Sequence, residues 1–144
     1  MGYIISALVV IFFIGSASFL IPSRRTKHIA QLRLDAVKLG FKISSLAYSN
    51  VSFKSDDIKL ASYQIKNSSN IKEAHFIKDK NEFILYSPSR LKYSEEYESL
   101  LLSLRSLPES IIEIIFSKAV MVFLWDENLG IEELRRIDSD LKKL

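Results

Sequence analysis

The hydrophobic pattern opens with one unbroken apolar block and continues as a series of short periodic segments. Tyr3 to Ile21, YIISALVVIFFIGSASFLI, carries no charged side chain, and its only hydroxyl-bearing positions besides Tyr3 are Ser6, Ser16 and Ser18. Nineteen residues at about 1.5 Å each give about 28 Å of helix, close to the ~30 Å of hydrocarbon in a bilayer. Backbone groups in lipid must be satisfied within the segment, so residues 1–21 are predicted to form a transmembrane helix. A cleaved signal peptide is the rival reading, because Gly15-Ser16-Ala17 offers small residues at a possible cut. Against it, no Lys or Arg precedes the run, and Phe19-Leu20-Ile21 continue the run past that cut.

Helical spacing takes over after Pro22. Ile29, Leu32, Ala36 and Leu39 share one face, with Lys27, Gln31, Asp35 and Lys38 opposite and Gly40 as the stop, so residues 22–40 read as a basic juxtamembrane amphipathic helix. Strand patterns follow at 41–48 and, with a mixed period, at 58–66, separated by a polar loop at 49–57. Asn67-Ser68-Ser69-Asn70 is a turn by composition. Glu73–Lys78 and Glu82–Ser87 form a predicted hairpin through Asp79-Lys80-Asn81. Tyr93, Tyr97, Leu100, Leu101 and Leu104 mark a helix that Ser94 is placed to cap.

Ile111 to Trp125 is the second most apolar stretch, but Glu113 and Lys118 interrupt it and argue against another membrane pass. Its β-branched residues favour two core strands turned at Ser117-Lys118. A short helix over 109–116 leading into one strand is the alternative. Gly130 to Leu144 closes the sequence as a helix with Ile131, Leu134, Ile137, Leu141 and Leu144 inward. The expectation is an α+β chain: one N-terminal transmembrane helix, then a small domain over 41–144 with a mainly antiparallel sheet and two or three helices.

Charge adds orientation. All 20 basic and 17 acidic residues lie beyond Ile21, and Arg24, Arg25, Lys27, Arg33 and Lys38 follow the apolar block at once. The positive-inside tendency places the short N-terminus outside and the domain in the cytoplasm. The chain has no cysteine, which excludes disulfides and thiolate chemistry. Mixed charge beyond the anchor differs from the single basic field of a nucleic-acid binder.

No constellation names an activity. His28 and His75 lack partners at ligand spacing, so no metal is expected, and the scattered Gly2, Gly15, Gly40 and Gly130 make no phosphate cradle, so no cofactor is expected. The acidic pairs Asp126-Glu127 and Glu132-Glu133 suit loops and helix starts. Two sets of positions stand out. Gly15, Ser16, Ala17 and Ser18 form a small-residue patch for helix–helix contact in the bilayer. Arg24, Arg25, Lys27 and Arg33 are candidates for anionic lipid headgroups.

The junction Phe19-Leu20-Ile21-Pro22-Ser23-Arg24-Arg25-Thr26-Lys27 resembles the anchor-to-cytoplasm junction of the YajC family, the accessory subunit of the bacterial Sec translocon. That likeness runs over residues 4 to 30, and YajC's glycine-rich strand block is missing here. A wider resemblance is to uncharacterised single-pass inner-membrane proteins of gammaproteobacteria. It rests on Pro22-Ser23-Arg24-Arg25, on Leu32 to Gly40 (LRLDAVKLG), and on Trp125-Asp126-Glu127-Asn128-Leu129-Gly130. The wider resemblance implies no known activity, and the tether itself leads to the expectation of a non-enzymatic, membrane-anchored accessory subunit. The expected partners are the lipid bilayer and another membrane protein. The alternatives are an anionic-lipid-binding surface module and an enzyme with an unrecognised site.

Overall fold

The computed structural model describes residues 1–44 and 60–144. It divides into two units, Met1–Gln31 and Leu32–Leu144. The break falls inside the expected juxtamembrane helix because its later turns belong to the domain: Leu32 and Ala36 are buried there.

The first unit holds α1 (Gly2–Leu20) and the start of α2 (Arg24–Lys38). Among the described residues α1 is the one helix stretch long and apolar enough to cross a membrane, and none of its residues is buried by protein. Its three serines return their hydroxyls to the backbone: Ser6 Oγ donates to the Gly2 carbonyl at 2.9 Å, Ser16 to Phe12 at 2.8 Å and Ser18 to Ile14 at 2.9 Å. None of these three serine hydroxyls is left unsatisfied. Ile21 leaves the helix with extended backbone, as a residue before proline must, so Pro22 ends α1. Ser23 begins α2 by accepting from the Thr26 amide on Oγ at 3.1 Å. At the far end Gly40 sits at φ 95°, and the Gly40 and Phe41 amides donate to the Val37 and Ala36 carbonyls, both at 3.0 Å. This is a Schellman stop, and only glycine adopts that φ without strain.

The second unit is an α+β domain with a six-stranded, all-antiparallel sheet. Its strands are β1 (Lys42–Ser44), β2 (Leu60–Lys66), β3 (Ala74–Asp79), β4 (Glu82–Ser87), β5 (Ile111–Phe116) and β6 (Val120–Asp126), in the order β1-β2-β6-β5-β3-β4. The helices α3 (Tyr97–Arg105) and α4 (Gly130–Leu141) complete it. The rest of the strand expected at 41–48, the loop at 49–57 and the first two positions of the 58–66 strand lie outside the described residues. β3 and β4 form the expected hairpin, but they turn through Lys80 and Asn81 alone, both at positive φ, because Asp79 pairs with Glu82 and ends β3 instead of joining the connection. β5 and β6 are the two core strands favoured over a helix at 109–116, closed where the Ser117 amide donates to the Val120 carbonyl at 2.9 Å.

The third helix departs from expectation. It starts at Tyr97, not Tyr93, because Ser89–Tyr93 form a 3-10 turn and Ser94 Oγ donates backward to the Leu91 carbonyl at 2.8 Å. Ser94 therefore closes the preceding turn instead of capping α3, and Tyr93 is exposed.

One sheet face carries most of the core. Tyr63, Phe123, Ile114 and Phe76 follow one another across β2, β6, β5 and β3, with Ala61, Trp125, Met121 and Phe116 on the same side. Phe41, Tyr63, Phe123 and Trp125 contact ring to ring at centroid distances of 5.4 to 6.2 Å. Each buried aromatic contributes about 1.5–3 kcal/mol of transfer free energy. Being central, β6 is buried on both faces, through Val122 and Leu124 on the other side.

Candidate functional site

The positions singled out in the anchor are all exposed along α1. Gly15 and Ser18, three apart, share one side of the helix, while Ser16 and Ala17 turn away around it. A Cβ added at Gly15 would meet nothing within 4 Å, so the groove beside it is open.

The cations divide. Arg24, Arg25 and Lys27 are exposed in the first turn of α2, which holds no acidic residue. Positive charge at a helix N-terminus opposes the macrodipole by about 0.3–1 kcal/mol each, so helix stability does not explain their position. Arg33 stands apart from them. Its Nε and a terminal nitrogen donate to Glu127 Oε1 and Oε2 at 2.8 and 2.9 Å, a bidentate pair that commits it to the domain. The sequence grouped it with the headgroup cations because its partner lies 94 positions away.

Glu127 is 4% exposed and also accepts from the Tyr63 hydroxyl at 2.7 Å. It sits in the short 3-10 turn Glu127–Leu129 after β6, which the Asp126 carboxylate holds by accepting from the Asn128 amide at 2.9 Å. Asp126-Glu127 lie at a helix start, as the sequence suggests, and the Glu127 carboxylate is in addition taken inward by an arginine and a tyrosine. Burial, reinforced by the bond to Glu127, pushes the Tyr63 phenol well above its usual range.

A second buried pair joins His75 Nε2 to Glu113 Oε1 across β3 and β5. Two bulges place it. In β5, Ile111 pairs with Trp125 and Glu113 with Leu124, so Ile112 is an extra residue that turns Glu113 away from the aromatic core onto the opposite face. In β3–β4, His75 pairs with Ser87 and Phe76 with Leu85, leaving Tyr86 extra, and its ring lies 4.9 Å from that of His75. Glu113 is 2% exposed, and its Oε2 is buried without a hydrogen-bond partner among the described residues. Sequence spacing missed this pair because its members meet only through sheet pairing. Among the described residues no group of three metal-ligating side chains converges.

A cleft of about 420 Å³ lies at the end of the sheet where β3 begins and β4 and β5 finish. Ile71, Pro88, Leu91 and Leu100 supply apolar surface, and Lys72, Glu73, Arg90, Glu96 and Lys118 supply charge. Its walls are braced. Asn67 Nδ2 donates to the Ile71 and Ser117 carbonyls at 2.7 and 2.6 Å, tying the segment before β3 to the β5–β6 turn that carries Lys118. Asn67 Oδ1 accepts from the Ser69 amide at 2.9 Å, which fixes the turn expected at 67–70. Arg90 closes on Glu73 at 2.9 Å.

Comparison with known proteins adds no relative: no family model matches the chain, no curated protein matches it, and no solved structure matches it.

Proposed function

We propose that this chain is a non-enzymatic, single-pass accessory subunit of a bacterial inner-membrane complex, with its N-terminus outside and its α+β domain binding another membrane protein at the cytoplasmic face. The observation that carries this reading is α1: nineteen residues without charge and without protein burial, followed directly by Arg24, Arg25 and Lys27. The charge asymmetry supports the orientation. Tethering raises the local concentration of the domain for membrane-bound partners with no new contact. The cleft supports binding by its size, since ligand pockets usually span about 300–1,000 Å³, although its lining is more charged than is usual for a small-molecule site.

The test is photo-cross-linking of the full chain in native membranes, with probes at Gly15 and Leu91, followed by mass spectrometry of adducts. A discrete membrane protein captured from either position supports the reading. Cross-links to lipid alone, or a reporter at the C-terminus that is active only in the periplasm, would sink it.

A second reading is favoured by the exposed Arg24, Arg25 and Lys27. It makes the start of α2 a contact for anionic headgroups, each cation contributing about 1 kcal/mol. Arg33 drops out of that set because Glu127 holds it.

A further inference from the structure

We infer that the cleft between Ile71, Pro88, Leu91 and Leu100 takes a short extended peptide segment of the membrane-bound partner, one that presents an apolar side chain beside a carboxylate. This rests on the reading that the domain binds another protein, and it names the chemistry of what is bound.

Charge selects the class of occupant. The lining carries three cations, Lys72, Arg90 and Lys118, and two carboxylates, Glu73 and Glu96. Arg90 is spent on Glu73, which leaves two lysines and one glutamate. Lys72 and Lys118 are exposed and make no salt bridge among the described residues. Two ammonium groups beside an apolar floor suit a single carboxylate next to an aliphatic side chain. Glu96 then accepts from backbone N–H groups, which a peptide has and a lipid tail lacks. A nucleotide fits worse: no aromatic side chain lines the floor for a base to stack on, and Glu73 and Glu96 oppose a polyphosphate. The Asn67 bonds hold the segment before β3 to the β5–β6 turn before binding, which lowers the ordering entropy that association must overcome.

The experiment uses the full chain in nanodiscs of zwitterionic phosphatidylcholine and a fluorescein-labelled peptide of alternating Leu and Glu, with a Leu/Lys peptide as control, read by anisotropy. The Leu/Glu peptide binds, the Leu/Lys peptide does not, and the double variant Lys72→Glu/Lys118→Glu weakens binding about tenfold or more. Both substitutions are at exposed side chains, and an unchanged circular dichroism spectrum confirms the fold. Equal binding of the two peptides, or no effect of the double variant, overturns the inference. So does complete displacement of the Leu/Glu peptide by phosphatidylglycerol vesicles, which would assign the cleft to a headgroup. If the peptide fails while Gly15 still cross-links a membrane protein, the cleft assignment falls alone. If both fail, the accessory-subunit reading falls with it.

Discussion

The Tyr63 hydroxyl and the Glu127 carboxylate stand 64 residues apart in the chain and 2.7 Å apart in the fold, and Arg33 closes on the same carboxylate from α2. Strand, turn and helix thus meet at one buried acid. Removing one partner is worse than removing all, because it strands the others away from water. Tyr63→Phe should destabilise the domain by about 1–2 kcal/mol, since Arg33 still satisfies Glu127. Glu127→Ala should cost about 2–3 kcal/mol, because the buried Tyr63 hydroxyl is orphaned while Arg33, with 45% of its side chain exposed, turns to water. Urea denaturation of the full chain in detergent measures both. Equal losses would show that the Tyr63–Glu127 hydrogen bond carries the whole effect and that the Arg33 pair adds nothing.

The same site sets an alkaline limit. The folded-state pKa of Tyr63 lies above its ordinary value of 10.0, so the neutral phenol is favoured by the fold. Its contribution is complete below about pH 10 and is lost as pH rises from there through the folded value, at up to about 1.4 kcal/mol per pH unit. The stability advantage of the native chain over Tyr63→Phe should be constant from about pH 7 to 9 and shrink by about pH 11. An advantage that stays flat across that range would contradict the assignment.

His75 and Glu113 form the other buried pair, and its orphaned Oε2 makes it sensitive. His75→Ala should cost about 2–4 kcal/mol by leaving a carboxylate that is 2% exposed without its partner. The double variant His75→Leu/Glu113→Leu should recover most of that loss, because replacing both partners of a buried hydrogen bond with aliphatic side chains is often nearly neutral. Thermal unfolding of the three chains gives the comparison. A double variant no better than His75→Ala would point to a role for the pair beyond packing.

In α1, Gly15→Leu should leave the helix intact, since no atom stands within 4 Å of the added Cβ. If a neighbouring helix uses that groove, the larger side chain holds it off by steric contact, and the cross-link from a probe at Ser18, on the same side of α1, should fall about tenfold. An undiminished cross-link would place the contact on another side of α1.

The elements with strong local patterning were legible in the sequence: the uncharged block, the Gly40 stop, the Lys80-Asn81 hairpin and the Leu134, Ile137, Leu141 stripe each announce their own structure. The candidate site was less so. Arg33 looked like one of a run of juxtamembrane cations because Glu127 is remote in sequence. Glu113 looked like an interruption because the alternation of β5 slips at Ile112, and a bulge leaves no signature that periodicity can detect. The cleft was invisible for the same reason, since Ile71, Leu91 and Lys118 become neighbours only when the sheet is assembled.

Sheet order also governs how the domain is made. β5 and β6 sit between the β1–β2 and β3–β4 pairs, yet both are synthesised after them. While the ribosome is still translating, the nascent chain therefore carries two separate ribbons, each with an unfilled edge that waits for the middle to arrive. Folding of the whole sheet is postponed until residues 111–126 have cleared the exit tunnel, by which time the apolar leader has already had the opportunity to enter the bilayer.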